Sequence, residues 1–489
     1  MPLQLLTKSK YVSGLQCSKY LWIQFHEPEG IPETDAVTQY MFDQGRTVGK
    51  LAKKLFPGGI DIPSEDFMEN ISKTKGFFEG RNPLYEAGVL VRNTYSRIDI
   101  LNPIDENGWD IIEVKSSTSV KDVHIHDVSF QKYCCEMYGL HIRKCFLALI
   151  NNRYVKNGEI DPQGLFNIYD ITDKVIAVSE GIQKRIDIML DITKGSECPQ
   201  VTIGKHCMAP YDCSLRTECW GFLPENSVFD LRGGKTKQFS LYEQGIVSIK
   251  DIPHNITLSR QLQIQKGCVI TGTTHVEKEQ IRPFLDTLKY PLYYLDFETI
   301  GPAMSIYDGT SPFQTIPFQF SLHIVVNNEA EPVHHSFLAK GIGDPRPKLL
   351  RELTRLLGSE GSIIAYNSGF EEGVLKELVE AFPEHKDWLD GILPRIVDLL
   401  FPFSNFHYYH ASQKDTALLK KVLPAVTGKG YEEMGIGAGM DASIAYERIT
   451  YGSATQEEIA KVRADLIKYC KLDTEGMIWI VEKLRDLCQ

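Results

Sequence analysis

From Tyr85 to Ser117 the chain places apolar residues in short runs, YEAGVLV, SRIDIL and WDIIEVKSS, with the polar turn NPIDENG between the last two. Runs of this length, rich in β-branched residues and bounded by Asn, Pro and Gly, predict strands. Residues 122–140 have helical spacing, KCFLALINNRYV returns to a strand, and Ile171 to Ile192 predicts one amphipathic helix. Residues 221–290 lose the strand signal and predict short helices around LYEQGIVSIKDIP, where a Gly separates two apolar turns. At Tyr290 the pattern restarts. YPLYYLDFETI and PFQFSLHIVV predict buried strands, followed by a helix over Pro347–Leu357, a strand at SIIAYNS, a helix over Glu371–Ala381 and a last helix from Gln456 to Leu487. The pattern divides the chain into an α/β domain over 1–225, a helical linker over 226–285 and a second α/β domain over 286–489.

With 489 residues, 43% of them apolar, the chain can bury more than one core. No apolar run approaches the roughly 20 residues that cross a bilayer, and MPLQLLTKSKYVSG is too short and polar for a secretory leader. A cytoplasmic location without a membrane partner is expected. Eleven cysteines in a reducing compartment are then available for metal, cluster or core duty rather than disulfides. The net charge of −11 excludes a nonspecific nucleic-acid coat protein, and only 226–285 carries an excess of Lys and Arg. Acidic flanks can still hold phosphates where carboxylates bind divalent cations, because the bound ion reverses the local field. There is no G-x4-GK[ST] motif, so any unwinding of a duplex falls to a partner such as a helicase.

Glu113 and Lys115 lie two apart on a predicted strand and leave the same face, and the turn after Asp99 folds its strand back alongside. Carboxylates that hold a divalent ion, with an ammonium beside them, suit phosphodiester hydrolysis. RID followed by EVKSS resembles the PD-(D/E)XK nucleases, in their RecB-like branch. The resemblance implies a restriction-endonuclease-like core in which Asp99 and Glu113 hold Mg2+ or Mn2+ and Lys115 is catalytic. Gln131, in DVSFQKY, matches the branch's additional glutamine. Two departures stand out: Tyr133 is only two residues beyond Gln131, and GRTVGKLAKKLF offers Gly49 where the branch often has His or Glu.

The segment HCMAPYDCSLRTECW sets Cys207, Cys213 and Cys219 at C-x5-C-x5-C. RecB-like nucleases with an iron-sulfur cluster pair one N-terminal cysteine with three C-terminal ones, which implies Cys17 of SGLQCSKYLW as the fourth ligand. Thiolate-only ligation suits a 4Fe-4S cluster, with tetrahedral zinc as the chemical alternative. Cys198 is spare, and Cys134, Cys135, Cys145, Cys268, Cys470 and Cys488 are expected as core thiols.

Asp296 and Glu298 alternate with Leu295 and Phe297, so both carboxylates leave one face of a strand. Tyr469 and Asp473 are four apart on the last helix, as are Asn367 and Glu371. Four carboxylates at one site repel one another unless divalent ions neutralise them. DFET, YNSGFE and YCKLD resemble the three motifs of DnaQ-like exonucleases, and Y-x3-D their tyrosine (DEDDy) subgroup. The resemblance implies an RNase H-like fold in which Asp296, Glu298, Glu371 and Asp473 hold the metal and Tyr469 is catalytic. Glu371 stands where the motif has Asp, and Asp398 is expected to orient structure. Over nearly its full length the chain resembles an uncharacterised bacterial family that joins a RecB-like domain to a DnaQ-like one. The implied function is a metal-dependent nuclease, acting on DNA rather than RNA and removing nucleotides 3′ to 5′ at the second site. The alternatives are one active site with the other domain kept for binding, or a silent nucleic-acid-binding scaffold of a repair or defence assembly.

Overall fold

The computed structural model describes residues 5–63, 65–432, 434–437 and 439–489. They form a mixed α/β chain of two compact units, one of Met1–Gly221 with Pro302–Gln314 and one of Phe222–Gly301 with Thr315–Gln489.

The first unit is built on one sheet. Its strands are β1 (Leu6–Thr7), β2 (Ile60–Asp61), β3 (Leu84–Val91), β4 (Thr94–Pro103), β5 (Gly108–Lys115), β6 (His141–Ile150) and β7 (Phe166–Asp170). They lie in the order β2-β3-β4-β5-β6-β7, with β1 added parallel to β4. The turn at 104–107 returns β5 antiparallel to β4 in a register that pairs Ile100 with Ile112. The Asp122–Tyr138 helix is the crossover that brings β6 parallel to β5. Side chains alternate across the sheet, so the paired Leu101 and Ile111 enter a core with the crossover helix, while the neighbouring pair Ile100 and Ile112 enter another with Val48 and Ala52 of the Ala36–Ala52 helix. Burial of both faces explains why WDIIEV shows no polar alternation. The expected single helix over Ile171–Ile192 is two, Thr172–Ser179 and Ile182–Lys194. Gly181 between them takes φ +69°, a left-handed turn that sets the second helix in a new direction.

In the second unit β8 (His275–Val276) pairs with β14 (Tyr408–Tyr409) in a small ribbon. The main sheet holds β9 (Leu292–Ile300), β10 (Ile316–Val325), β11 (Val333–Leu338), β12 (Ser362–Ala365) and β13 (Ile396–Asp398), in the order β11-β10-β9-β12-β13. The first three are antiparallel, whereas β12 runs parallel to both β9 and β13. Tyr294 packs with Ile480, Val481 and Leu484 of the 33-residue Gln456–Cys488 helix, and Tyr293 and Leu295 pack on the Arg346–Leu356 and Gly369–Ala381 helices of the other face. The segment expected as a linker forms the helices Lys235–Glu243, Arg260–Thr271 and Lys278–Asp286 and belongs to this unit. Its Ile281 and Leu285 are buried with Leu484, and Gln265 Nε2 donates to Tyr409 Oη at 3.0 Å, so its apolar surface is spent on the second core. Among the described residues no helix is long and apolar enough to cross a membrane.

Candidate functional site

In the first unit, neighbouring strands β4 and β5 carry Asp99 and Glu113. Val114 N–H donates to Asp99 Oδ2 at 2.9 Å, which turns that carboxylate toward β5. Glu113 is 1% exposed. Its Oε1 lies 2.7 Å from Lys8 Nζ and 2.8 Å from Lys115 Nζ, and its Oε2 accepts from Gln131 Nε2 at 2.7 Å. Lys115 Nζ also donates to Asp127 Oδ2 at 2.6 Å. Burial alone would raise Glu113, but Lys115 and Lys8 outweigh it and hold the acid well below the ordinary range. Asp99 goes the other way: burial, reinforced by Glu113 and only partly offset by Lys8, pushes it up to about 7. Burial works against the charge of Lys115, yet Glu113 and Asp127 keep it firmly protonated, so at neutral pH it acts as a cation and not as a base. His124 is pushed down to about 4 by burial and by Lys115, and is neutral. Asp99 opens into a cavity of about 690 Å³ whose wall also carries Arg46, Gly49, Lys50, Lys53 and Arg97. Tyr133 hydrogen-bonds Gln183 at 2.5 Å, tying the crossover helix to its neighbour away from the carboxylates.

The four expected cysteine ligands come together in the same unit, and all eleven cysteines are free thiols. Cys213 N–H donates to Cys207 O at 2.9 Å, and Gln16 Nε2, beside Cys17, donates to His206 O at 2.7 Å and Tyr211 O at 2.8 Å. Burial raises the Cys213 thiol, and the neighbouring Cys17, Cys207 and Cys219 raise it further; Cys17 is raised by burial and by Cys207 and Cys219. Cys17 and Cys213, raised beside Cys207 and Cys219, need a positive centre to become thiolate ligands, and a thiolate-binding cluster or zinc would supply one. Cys198 packs nearby with Trp22, Ile23 and Leu215.

In the second unit Asp296 and Glu298 project from β9, Glu371 sits in the first turn of the Gly369–Ala381 helix, and Asp473 lies on the Gln456–Cys488 helix. Burial, together with Asp473 and the other carboxylates, pushes Asp296 well above its usual range, and burial and Asp473 do the same to Glu298. Asp473 rises to about 7 and Glu371 to about 8, both chiefly through burial. Glu371 is 3% exposed, and its Oε2 has no hydrogen-bond partner. This is a set of acids short of positive charge. Among the described residues Asp296 and Glu298, with Cys470, offer ligand atoms within 4.8 Å of one another, with Glu371 and Asp473 outside that group, and a divalent ion held there would favour the ionised carboxylates. Asp296, Glu298, Asp473 and Tyr469 line a cavity of about 790 Å³. Asp398 Oδ1 accepts from the N–H groups of Asn367 and Leu400, both at 2.9 Å, and so shapes the loop before Glu371.

Sequence reasoning missed several neighbours of both sites. Lys8, Asp127 and Tyr211 surround Glu113 and Lys115, and no local pattern joins them. Lys420 faces Glu298 and Asp473, with its ammonium 4.8 Å from the centre of the Tyr469 ring, and Tyr431 Oη donates to Asp473 Oδ1. Arg232 lines the same cavity. Cys470, expected as an inert core thiol, is buried but sits beside the carboxylates, its Sγ 3.2 Å from Asp296 Oδ2 and within 4.8 Å of a Glu298 oxygen. Its place next to Tyr469 on a helix that faces β9 was the available signal. Burial, together with Asp473, holds the Tyr469 hydroxyl far above its ordinary pKa, so it is a hydrogen-bond donor at any physiological pH.

Residues 293–417 match a family described as a domain of unknown function, DUF2779. The match begins at the second residue of β9 and ends at the residue before Leu418, and so includes Asp296, Glu298 and Glu371 but stops before Asp473. Over 220 residues, 41% of this chain and 33% of the relative, the chain is 28% identical to uncharacterized protein MG366 of Mycoplasma genitalium. It is 24% identical over 227 residues to uncharacterized protein UU173 of Ureaplasma parvum, covering 41% of this chain and 32% of that one. It is 25% identical over 223 residues to the MG366 homolog of Mycoplasma pneumoniae, with 41% and 33% covered. The chain spans about a third of the length of the curated relatives it matches.

Proposed function

We propose that the protein is a metal-dependent nuclease with a PD-(D/E)XK-like site in the first unit and a DnaQ-like, RNase H-fold exonuclease site in the second. The observation that carries the reading is the second site's four carboxyls, all raised in pKa chiefly by burial, of which Asp296, Glu298 and Asp473 line a cavity and Glu371 has an oxygen left without a partner. Buried acids are costly, and a set without enough counter-charge is accounted for by cations that bind it. Bound Mg2+ or Mn2+ supplies Lewis acidity and lowers the pKa of water. The chain's own groups do the rest. Tyr469, a protonated donor, orients the attacking water, and Lys420 places a positive charge beside the phosphate. In the first unit Lys115 stabilises charge on the phosphoryl oxygens, and Gln131 holds Glu113 in place. The strand order and the antiparallel β4–β5 pair support the first fold assignment, and the β11-β10-β9-β12-β13 sheet with the long helix on one face supports the second. Four neighbouring thiols support a 4Fe-4S cluster, with zinc as the chemical alternative.

DNA is the proposed substrate. The test is digestion of end-labelled single-stranded and duplex DNA and RNA with Mg2+ or Mn2+, comparing the native chain with Lys115→Ala and Asp296→Ala. Each variant is expected to lose one class of product. Absence of metal-dependent cleavage of every substrate would refute the proposal, and an unaltered Lys115→Ala would leave the second unit as the one active site.

A further inference from the structure

Lys8 is the first residue of the Lys8–Gln16 helix, and the thiol cluster begins at the other end of that helix. At its start, Leu6 and Thr7 pair with β4, and the Thr7 hydroxyl accepts from Lys10 N–H at 3.3 Å. Along its length Tyr11 is buried and stacks on Phe130 of the crossover helix, with ring centres 4.9 Å apart. Gly14 faces the Ile182–Lys194 helix so closely that a Cβ would lie 2.8 Å from Met189 Sδ. At its end Gln16 is held by two carbonyls of the 206–211 loop, and Cys17 caps the helix. Nine residues at about 1.5 Å each make a strut of about 13 Å between the thiols and Glu113. A second connection runs through the loop between Cys207 and Cys213, whose Tyr211 hydroxyl lies in the field of Lys115, Asp127, Glu113 and Lys8.

Charge counting shows what Lys8 changes. Asp99, Glu113 and Asp127 bring three negative charges when ionised, His124 is neutral, and Lys115 brings one positive charge. Without Lys8 a divalent ion would bring this group only to neutrality; with Lys8 the loaded group is positive by one and attracts a phosphodiester. We propose that Lys8 is a second catalytic lysine of the first unit, binding the scissile phosphate beside Lys115, and that the four-thiol element places it there through the Lys8–Gln16 helix. The inference rests on the reading of the first unit as a phosphodiester hydrolase. It makes the thiol element a control on that site: losing the bound cluster releases Cys17 and the loop, and Lys8 with them.

The experiment uses the full chain carrying Asp296→Asn and Asp473→Asn, so that only the first unit can cleave. Single-turnover cleavage of an end-labelled single-stranded DNA and Mn2+ affinity by calorimetry are measured for this parent and for four variants added to it. These are Lys8→Met, Lys8→Arg, Cys213→Ser and the combination of Lys8→Met with Cys213→Ser. Lys8→Met is expected to lower cleavage by roughly 10² or more, while Mn2+ affinity is kept or tightened because a competing cation leaves Glu113. Lys8→Arg is expected to recover at least a tenth of the parent rate. Cys213→Ser alone is expected to cost at least tenfold, but less than threefold once Lys8 is already Met, because both act through one contact. If Cys213→Ser does not fold, Gln16→Leu cuts the link between helix and loop while keeping all four thiols, and the same pattern is expected. A parent that cleaves while Lys8→Met cleaves equally well overturns the proposal, as do losses that multiply. A parent that cleaves nothing instead overturns the reading of the first unit.

Discussion

Metal binding at the second site should be strongly pH-dependent, because the acids that would hold the ion are kept protonated by their surroundings. Asp473 sits at about 7 and Glu371 at about 8, and both must ionise to act as ligands. At pH 6, ionising Asp473 costs about 1.4 kcal/mol and ionising Glu371 about 2.7 kcal/mol, at 1.36 kcal/mol per pH unit. Together these two predict that Mn2+ affinity falls by at least about 10³-fold between pH 8.5 and pH 6, and further where Asp296 and Glu298, also raised, ionise on binding, with release of protons. The measurement is calorimetric Mn2+ titration in buffers of different ionisation enthalpy, on a chain carrying Asp99→Asn and Glu113→Gln so that the first site is silent. Asp473→Asn should flatten the profile by about one decade while lowering affinity at every pH. Without metal the same groups act on stability with a defined sign. Their folded pKa values lie above the unfolded ones near 4, so the native state holds the extra protons, and stability is lost as pH rises from about 4 to 8. An Mn2+ affinity that is measurable but equal at pH 6 and 8.5 would refute this account of the site's electrostatics.

Other outcomes follow from particular contacts. Tyr469→Phe keeps the packing of the ring and removes one donor, so single-turnover exonuclease rates should fall about 10² to 10³ with Mn2+ affinity unchanged; equal rates would remove the hydroxyl from the chemistry. Anaerobically prepared protein should be brown and carry about four irons per chain, and Cys213→Ala should lose iron and lower the melting temperature of the first unit. A colourless preparation with one zinc after iron was supplied would instead assign the thiols to zinc. Gly361 takes φ +86° and a Cβ there would lie 2.0 Å from Pro291 O, so Gly361→Ala should destabilise the β9–β12 pairing by at least about 2 kcal/mol, read from denaturant unfolding.

What the sequence determined by itself is local. The strands carrying Asp99, Glu113 and the pair Asp296 and Glu298 are legible as short apolar runs rich in β-branched or aromatic residues, and the crossover helix carrying Gln131 and the last helix carrying Tyr469 and Asp473 because their apolar spacing repeats with the period of a helix. The break at Gly181 was missed because apolar spacing continues across it, and a glycine records freedom to turn without recording whether the turn is taken. The segment 226–285 was read as a linker because its residues lack strand signal, but a linker and a helical layer of a larger core differ only in what Ile281 and Leu285 are buried against. The tertiary structure alone decided which cations reach each carboxylate cluster. Lys8 lies 105 residues from Glu113, and Lys420 lies on neither strand nor helix of the acids it faces. Charge acts through space, with a strength set by separation and by exclusion of water, and neither is written in the spacing of residues along the chain.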